Sequence, residues 1–355
     1  MQADERTRRH HAFWQRSAVE SPLVAVWSTV DYCMPPEVST RIGQKHEIEP
    51  DDVIAEELLG WYERQFEESQ DLPDDAFWVA APPGAIPWME AILGCPIRYD
   101  AVGGSVWSEP VPGAWPERAE SPTLEGNRWF GKLMECTDAL ICASGGRFPV
   151  GVPLLRGPLD MLVALLGAER VCLDVHDFPG RLVEGLEVCT ALWIRVVEAL
   201  LARTPRFHNG YVNRMRIWSP GAGVLFQEDM SVLLSPMAYA RFVLPADTRI
   251  CERFPYAMIH LHSAGLHIVE ALLGVQPLAG VQVVMDEMGP SLQELLPSLV
   301  AVQSANKPLV VYQEYEPRSF TELLARLDPR GLCVTAHVMS RREGREALRL
   351  RGAGR

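Results

Sequence analysis

The residues best placed to do chemistry are His260 and His262, at the end of an apolar run that starts at Tyr256 and stops at Ser263-Ala264-Gly265. A strand turns successive side chains to opposite faces, so both imidazoles share one face and Leu261 takes the other. Two neutral imidazoles side by side suit a metal ion or a polar substrate that they orient directly. A third imidazole, His337, stands near the C-terminal end. Together the three would make a three-ligand zinc site with an open position, with Cys333, Glu228 or Glu287 as a fourth ligand. Such an ion lowers the pKa of a bound thiol or hydroxyl.

Carboxylates surround this set. Glu228 and Asp229 adjoin, so on a strand only one of them enters the site, as a general acid, a substrate anchor or a cap on the next loop. Asp286 and Glu287 pose the same choice. Gln313, Glu314 and Arg156 also fall at strand ends, and Trp27 is a candidate wall for a flat or apolar substrate.

These residues need strands that end together. Apolar runs of strand length occur at 22–27, 76–80, 148–155, 224–229, 256–262, 281–286, 308–312 and 331–335. Helical spacing follows each of them. Three Ser-x-x-Glu boxes, Ser291/Glu294, Ser319/Glu322 and Ser340/Glu343, follow the last three strands and mark helix starts. Eight strand–helix units predict a single (β/α)8 barrel over 1–355, with a short N-terminal extension and an insertion at 95–126 that acts as a lid. An open doubly wound sheet is disfavoured, because no Gly-rich phosphate turn follows the first strand.

The 355-residue chain is 48% hydrophobic and 22% charged, which is ordinary globular composition. Its net charge of −13 and lack of a basic stripe argue against a nucleic-acid partner. No apolar run reaches membrane-spanning length, and the charged N-terminus is unlike a secretory signal. Eight scattered cysteines without a CxxC pair predict reduced thiols and a cytoplasmic setting.

Several segments resemble the uroporphyrinogen decarboxylase superfamily. Val150-Gly-Val-Pro-Leu-Leu-Arg156-Gly157-Pro158, followed by an apolar helix, resembles its G-P-F segment. Phe226-Gln-Glu-Asp229 with Leu234-Ser235-Pro236 and the Phe242-to-Pro245 tail resembles its D…L-S-P…F…P segment. His260-Leu-His262-Ser-Ala-Gly265 occupies the place of His-x-Cys in the corrinoid-dependent methyltransferases of that superfamily, and Val334-Thr-Ala-His337 the place of their last cysteine. The resemblance covers about 148–345 and implies a barrel. It also implies a zinc-dependent methyltransferase that works on a small molecule with a corrinoid-carrying partner protein. In that reading His260, His262 and His337 hold the metal, and Asp229 or Glu228 handles a proton. Arg156, Trp27, Asp286 and Glu287 bind substrate. The superfamily's second chemistry, cofactor-free decarboxylation of a tetrapyrrole or another carboxylate, is the alternative. Trp27-Ser-Thr-Val-Asp31-Tyr32 stands where decarboxylases carry an arginine motif. A non-catalytic ligand-binding barrel is the third reading.

Overall fold

A computed structural model describes residues 3–27, 36–43, 45–100, 105–111, 113 and 122–351. Seven strands form a parallel central sheet: β1 (Leu23–Trp27), β2 (Leu155–Arg156), β3 (Gly223–Gln227), β4 (Tyr256–His262), β5 (Gly280–Met285), β6 (Leu309–Glu314) and β7 (Leu332–His337). Their order is β1-β7-β6-β5-β4-β3-β2, which leaves β1 and β2 as the sheet edges.

Alternation along the strands sorts the side chains into two sets. Val24, Val26, Phe226, Ile259, Val281, Val283, Val311 and Val334 join the large core that includes the flanking helices. Leu23, Ala25, Trp27, Leu225, Met258, Val310 and Cys333 form a second cluster with Met215 and Ile217. Burial on both faces explains why these strands read as unbroken apolar runs. The same parity carries Gln227, His260, His262, Gln282, Tyr312 and His337 onto the face of the second cluster. Their polar groups therefore converge at the C-terminal ends of the strands.

The expected second strand, 76–80, does not form as a ladder. Ala80 makes one parallel bridge to Val150. Phe77 donates its N–H to Arg216, and Asp75 donates to Val24 on β1. The cause is the Asp74-Asp75 pair just before it. The Asp75 carboxylate accepts the Val24 N–H and the Asp74 carboxylate the Val26 N–H, both at 2.9 Å. Side chains satisfy donors of β1 that a neighbouring strand would otherwise take.

Of the three capping boxes, Ser291/Glu294 forms completely at the start of the Leu292–Ser304 helix. Ser340 caps the Arg341–Leu350 helix by accepting from Glu343, whose own carboxylate takes the Met339 N–H. Ser319 is not a cap. Its helix opens earlier, at Pro317, with Glu316 accepting the N–H groups of Arg318 and Ser319. Proline suits a first helical position because its missing N–H would have no intrahelical partner.

Within the 95–126 insertion, Ile97–Tyr99 and Val106–Ser108 pair antiparallel, and Glu47–Ile48 extends them into a small sheet. Gly103, Gly104, Trp115 and Pro116 of that insertion, and Asp31 and Tyr32 after β1, lie outside the described residues. Among the described residues no helix is long and apolar enough to cross a membrane.

Candidate functional site

His260 and His262 end β4, and Asp229 lies just past the end of the neighbouring strand β3. Their ligand-capable atoms lie within 4.8 Å of one another. The two imidazoles stand edge to face, 5.0 Å between centroids. Each has its Nδ1 engaged from behind. His260 Nδ1 bonds the side-chain carbonyl of Gln282, its direct neighbour in the β4–β5 register. His262 Nδ1 is 2.6 Å from Asp286 Oδ1. Asp286 is itself fixed, because Oδ2 accepts the Ser263 N–H at 2.9 Å and the Ser263 hydroxyl at 2.5 Å. Both rings are thereby left with Nε2 for a ligand, the arrangement that outer hydrogen bonds give metal-binding histidines.

Asp229 completes the set. Its Oδ2 accepts from Gln227 at 2.7 Å. Its Oδ1 is buried and has no hydrogen-bond partner among the described residues. A buried carboxylate oxygen without a partner is costly, and a cation beside the two Nε2 atoms would satisfy it. The donor chemistry, two imidazoles and one carboxylate, fits zinc and other divalent first-row ions. His260 is buried, which pushes its pKa down to about 4 although Asp229 pulls the other way. It is neutral at neutral pH, as a ligand must be. Burial raises Asp286, but the hydrogen bonds from Ser263 and His262 outweigh that and hold its carboxyl below the usual range.

The structure resolves the Glu228/Asp229 choice. Glu228 turns away from the site and is 1% exposed. Its carboxylate accepts the N–H groups of Leu159 and Asp160 at the start of the Pro158–Leu166 helix, at 3.1–3.3 Å. Burial, with Asp247 and Asp160 close by, holds its carboxyl well above the usual range. Glu228 is a helix cap, not a group facing the site.

His337 does not join the cluster. It ends β7, with β5 and β6 between it and β4. Its Nδ1 lies 2.8 Å from Glu314, and its ring stacks on Tyr312 at 6.1 Å. Asp229, not His337, stands within reach of the two imidazoles, because β3 adjoins β4 and β7 does not. Cys333 is buried in the second core cluster, and burial pushes its thiol pKa up. Glu287 is exposed in the turn after β5.

A cavity of about 460 Å³ opens beside the imidazoles. His260, His262, Gln227 and Arg156 form its polar end; Ile86, Trp88, Val106, Leu154, Val284 and Tyr312 give it apolar walls. Arg156 ends β2 and donates to Glu90 at 2.7 Å. Burial would lower the Arg156 pKa, but Glu90, Asp160 and Asp229 outweigh that and raise it. Trp27 is fully buried beneath, under the guanidinium of Arg216 at 4.8 Å, and does not line this cavity. Asp286 reaches His262 and Ser263 rather than the open space.

Sequence reading missed two supporting residues, Gln282 and Glu90, both fully buried. Gln282 carries a usable signal: it is the one polar side chain within Val281-Gln-Val-Val-Met285. Glu90 lies in a short helix, Trp88–Leu93, whose burial on all sides depends on distant segments.

No protein-family model and no curated protein matches the chain. Among solved structures, a methyltransferase from Methanosarcina mazei superposes with a TM-score of 0.64, covering 98% of each chain at 14% sequence identity. At that identity the likeness is one of fold, and it extends over nearly the whole length of both proteins.

Proposed function

We propose that the chain is a metal-dependent methyltransferase of the uroporphyrinogen decarboxylase superfamily, with Asp229, His260 and His262 as ligands for zinc or a related divalent ion. The observation that carries this reading is the cluster itself: two imidazoles with Nδ1 engaged, a partnerless buried carboxylate oxygen, and a cavity beside them. The full-length likeness to the archaeal methyltransferase supports it. Closure of the sheet into a (β/α)8 barrel belongs to the same reading. It is supported by the contacts of Asp75 with β1 and of Ala80 with Val150, five residues before β2.

Bound there, a divalent ion would supply Lewis acidity toward a substrate heteroatom. The protein's own groups do the rest. Gln282 and Asp286 hold the imidazoles in one orientation. The apolar walls exclude water from a small substrate, and Arg156, braced by Glu90, orients it. The 95–126 insertion acts as a lid, in keeping with the place of Ser105 and Val106 in the cavity wall. A corrinoid-carrying protein is the proposed methyl partner, docking where Val232, Leu233 and Met288 expose apolar side chains on the loops after β3 and β5. The free cysteines among the described residues suit a cytoplasmic setting. Tetrapyrrole decarboxylation is less well supported, because Arg156 is the one arginine among the described residues that line this cavity.

Metal analysis of the purified protein tests the reading. One equivalent of metal in the wild type, lost in His260→Ala, is the expected result. Methyl-transfer activity in rigorously metal-free protein would sink it.

A further inference from the structure

We infer that Asp160 is a positioning residue for the carboxylate ligand Asp229: it fixes the backbone of the turn after β3, and through that turn the direction in which Asp229 presents Oδ1. The inference rests on the metal reading above and adds to it a residue that acts through a ligand rather than on the ion.

The first support is where the chain leaves the sheet. β3 ends at Gln227, and Glu228 has φ −133° and ψ 65°, outside strand geometry. A 3-10 turn follows over Asp229–Leu233. Its first internal bond runs from the Ser231 N–H to the Glu228 carbonyl at 3.0 Å. The N–H groups of Asp229 and Met230 come before that bond, so neither the strand ladder nor the turn supplies them with an acceptor. Asp160 supplies both. Its Oδ1 accepts the Met230 N–H at 2.8 Å, and its Oδ2 the Asp229 N–H at 3.2 Å. Asp160 is 3% exposed, and a buried backbone donor that loses its acceptor is costly. The turn is therefore held to the place where Asp160 meets it.

The second support is reciprocity. Asp160 lies in the first turn of the Pro158–Leu166 helix, where an acid suits the dipole. Its carboxylate nevertheless does not close on its own helix, because Glu228 already takes the Leu159 and Asp160 N–H groups. Each segment caps the other: Glu228 crosses from the end of β3 to the helix, and Asp160 crosses from the helix to the turn after β3. These crossings join residues 68–70 apart in sequence and restrain the turn from both sides. At the side chain, Gln227 holds Asp229 Oδ2 at 2.7 Å, and Oδ1 is left beside the imidazoles without a partner among the described residues. Backbone and one oxygen are fixed and the other oxygen is free, which is how a supporting shell preorganises a ligand.

The test combines chelator competition for zinc with visible absorption of the cobalt(II)-loaded full chain, in Asp160→Ala and in the isosteric Asp160→Asn. Asp160→Ala strips both N–H groups of their acceptor and is expected to weaken zinc binding by roughly 10–100-fold. Asp160→Asn keeps one carbonyl acceptor and should recover part of that loss. Cobalt(II) in excess reports the ligand set. Its bands in Asp160→Ala should move toward those of Asp229→Ala, and in Asp160→Asn they should stay near wild type. A purely structural role would lower the urea midpoint of the metal-free protein and leave the cobalt bands in place. Unchanged zinc affinity in both variants, or weakened affinity in Asp160→Ala with wild-type cobalt bands, overturns this inference and leaves the metal reading standing. Should Asp160→Ala fail to fold, Asp160→Asn decides: weaker zinc binding in the folded variant supports the role, and unchanged affinity overturns it. A wild-type protein that binds neither zinc nor cobalt overturns the metal reading and this inference with it.

Discussion

His260, His262 and Asp229 differ in how far each is committed. His260 is 3% exposed and leans on a neutral amide; His262 has 45% of its side chain exposed and leans on a carboxylate. A carboxylate behind an imidazole raises its basicity as a ligand and fixes its tautomer. Asp286→Asn is therefore expected to weaken zinc binding by roughly 10–100-fold, while Asp286→Glu retains more of it, as read by competition against a chromophoric chelator. His337 and Asp229 separate cleanly in the same assay. Asp229→Ala should lose the metal, and His337→Ala should keep one equivalent. Loss of metal in His337→Ala with retention in Asp229→Ala would restore the ligand set expected from sequence.

At the scale of elements, the site depends on how the β2–helix junction meets the end of β3. Glu228 turns inward to cap the Pro158–Leu166 helix, and that turn leaves the next residue, Asp229, facing the imidazoles. A carboxylate at a helix N-terminus satisfies orphan N–H groups and favours the dipole. Gly157 makes room for it. A Cβ there would lie 2.3 Å from Glu228 Oε1 and 2.7 Å from the Gln227 carbonyl. Gly157→Ala is expected to cost about 3 kcal/mol, measured by urea unfolding. It should also lower metal occupancy through displacement of Glu228 and Asp229. An unchanged unfolding midpoint would show that the junction is looser than the contacts imply.

For the whole molecule, the N-terminal helix Ala3–Trp14 ties the chain's first residues to the sheet. Trp14 Nε1 donates to the Trp218 carbonyl at 2.7 Å, and Arg9 pairs with the buried Asp75 at 3.0 Å. His10, fully buried against Phe77, accompanies them. Burial pushes its pKa down to about 4, against a weaker opposing hydrogen bond with the Arg6 carbonyl. A depressed histidine pKa means that the unfolded chain takes the proton first. The contribution of His10 to stability is thus complete above about pH 6.5 and is lost as pH falls toward 4. The shift from 6.5 to about 4 corresponds to roughly 3 kcal/mol. Urea midpoints at pH 7 and pH 4.5 should fall less in His10→Gln than in wild type; parallel falls would remove His10 as the cause.

Local rules made part of this legible. The two-residue period put His260 and His262 on one face, and apolar runs bounded by turns located six of the seven strands of the central sheet, because these depend on residues close in sequence; of the expected strand over 148–155 only Leu155 enters β2. The Ser291 box could be read the same way. Other features required the chain to fold. Whether Glu228 or Asp229 enters the site depends on helix N–H groups some 68–69 residues away in sequence. The failure of 76–80 to pair as a strand comes from two aspartates whose carboxylates reach β1. Above all, the third member of the cluster was fixed by strand order. Sequence could show that His337 ends a strand, but only the parallel sheet, with β3 beside β4 and β7 three places off, sets Asp229 at the imidazoles. Strand adjacency is decided by long-range packing, and a linear spacing carries no record of it.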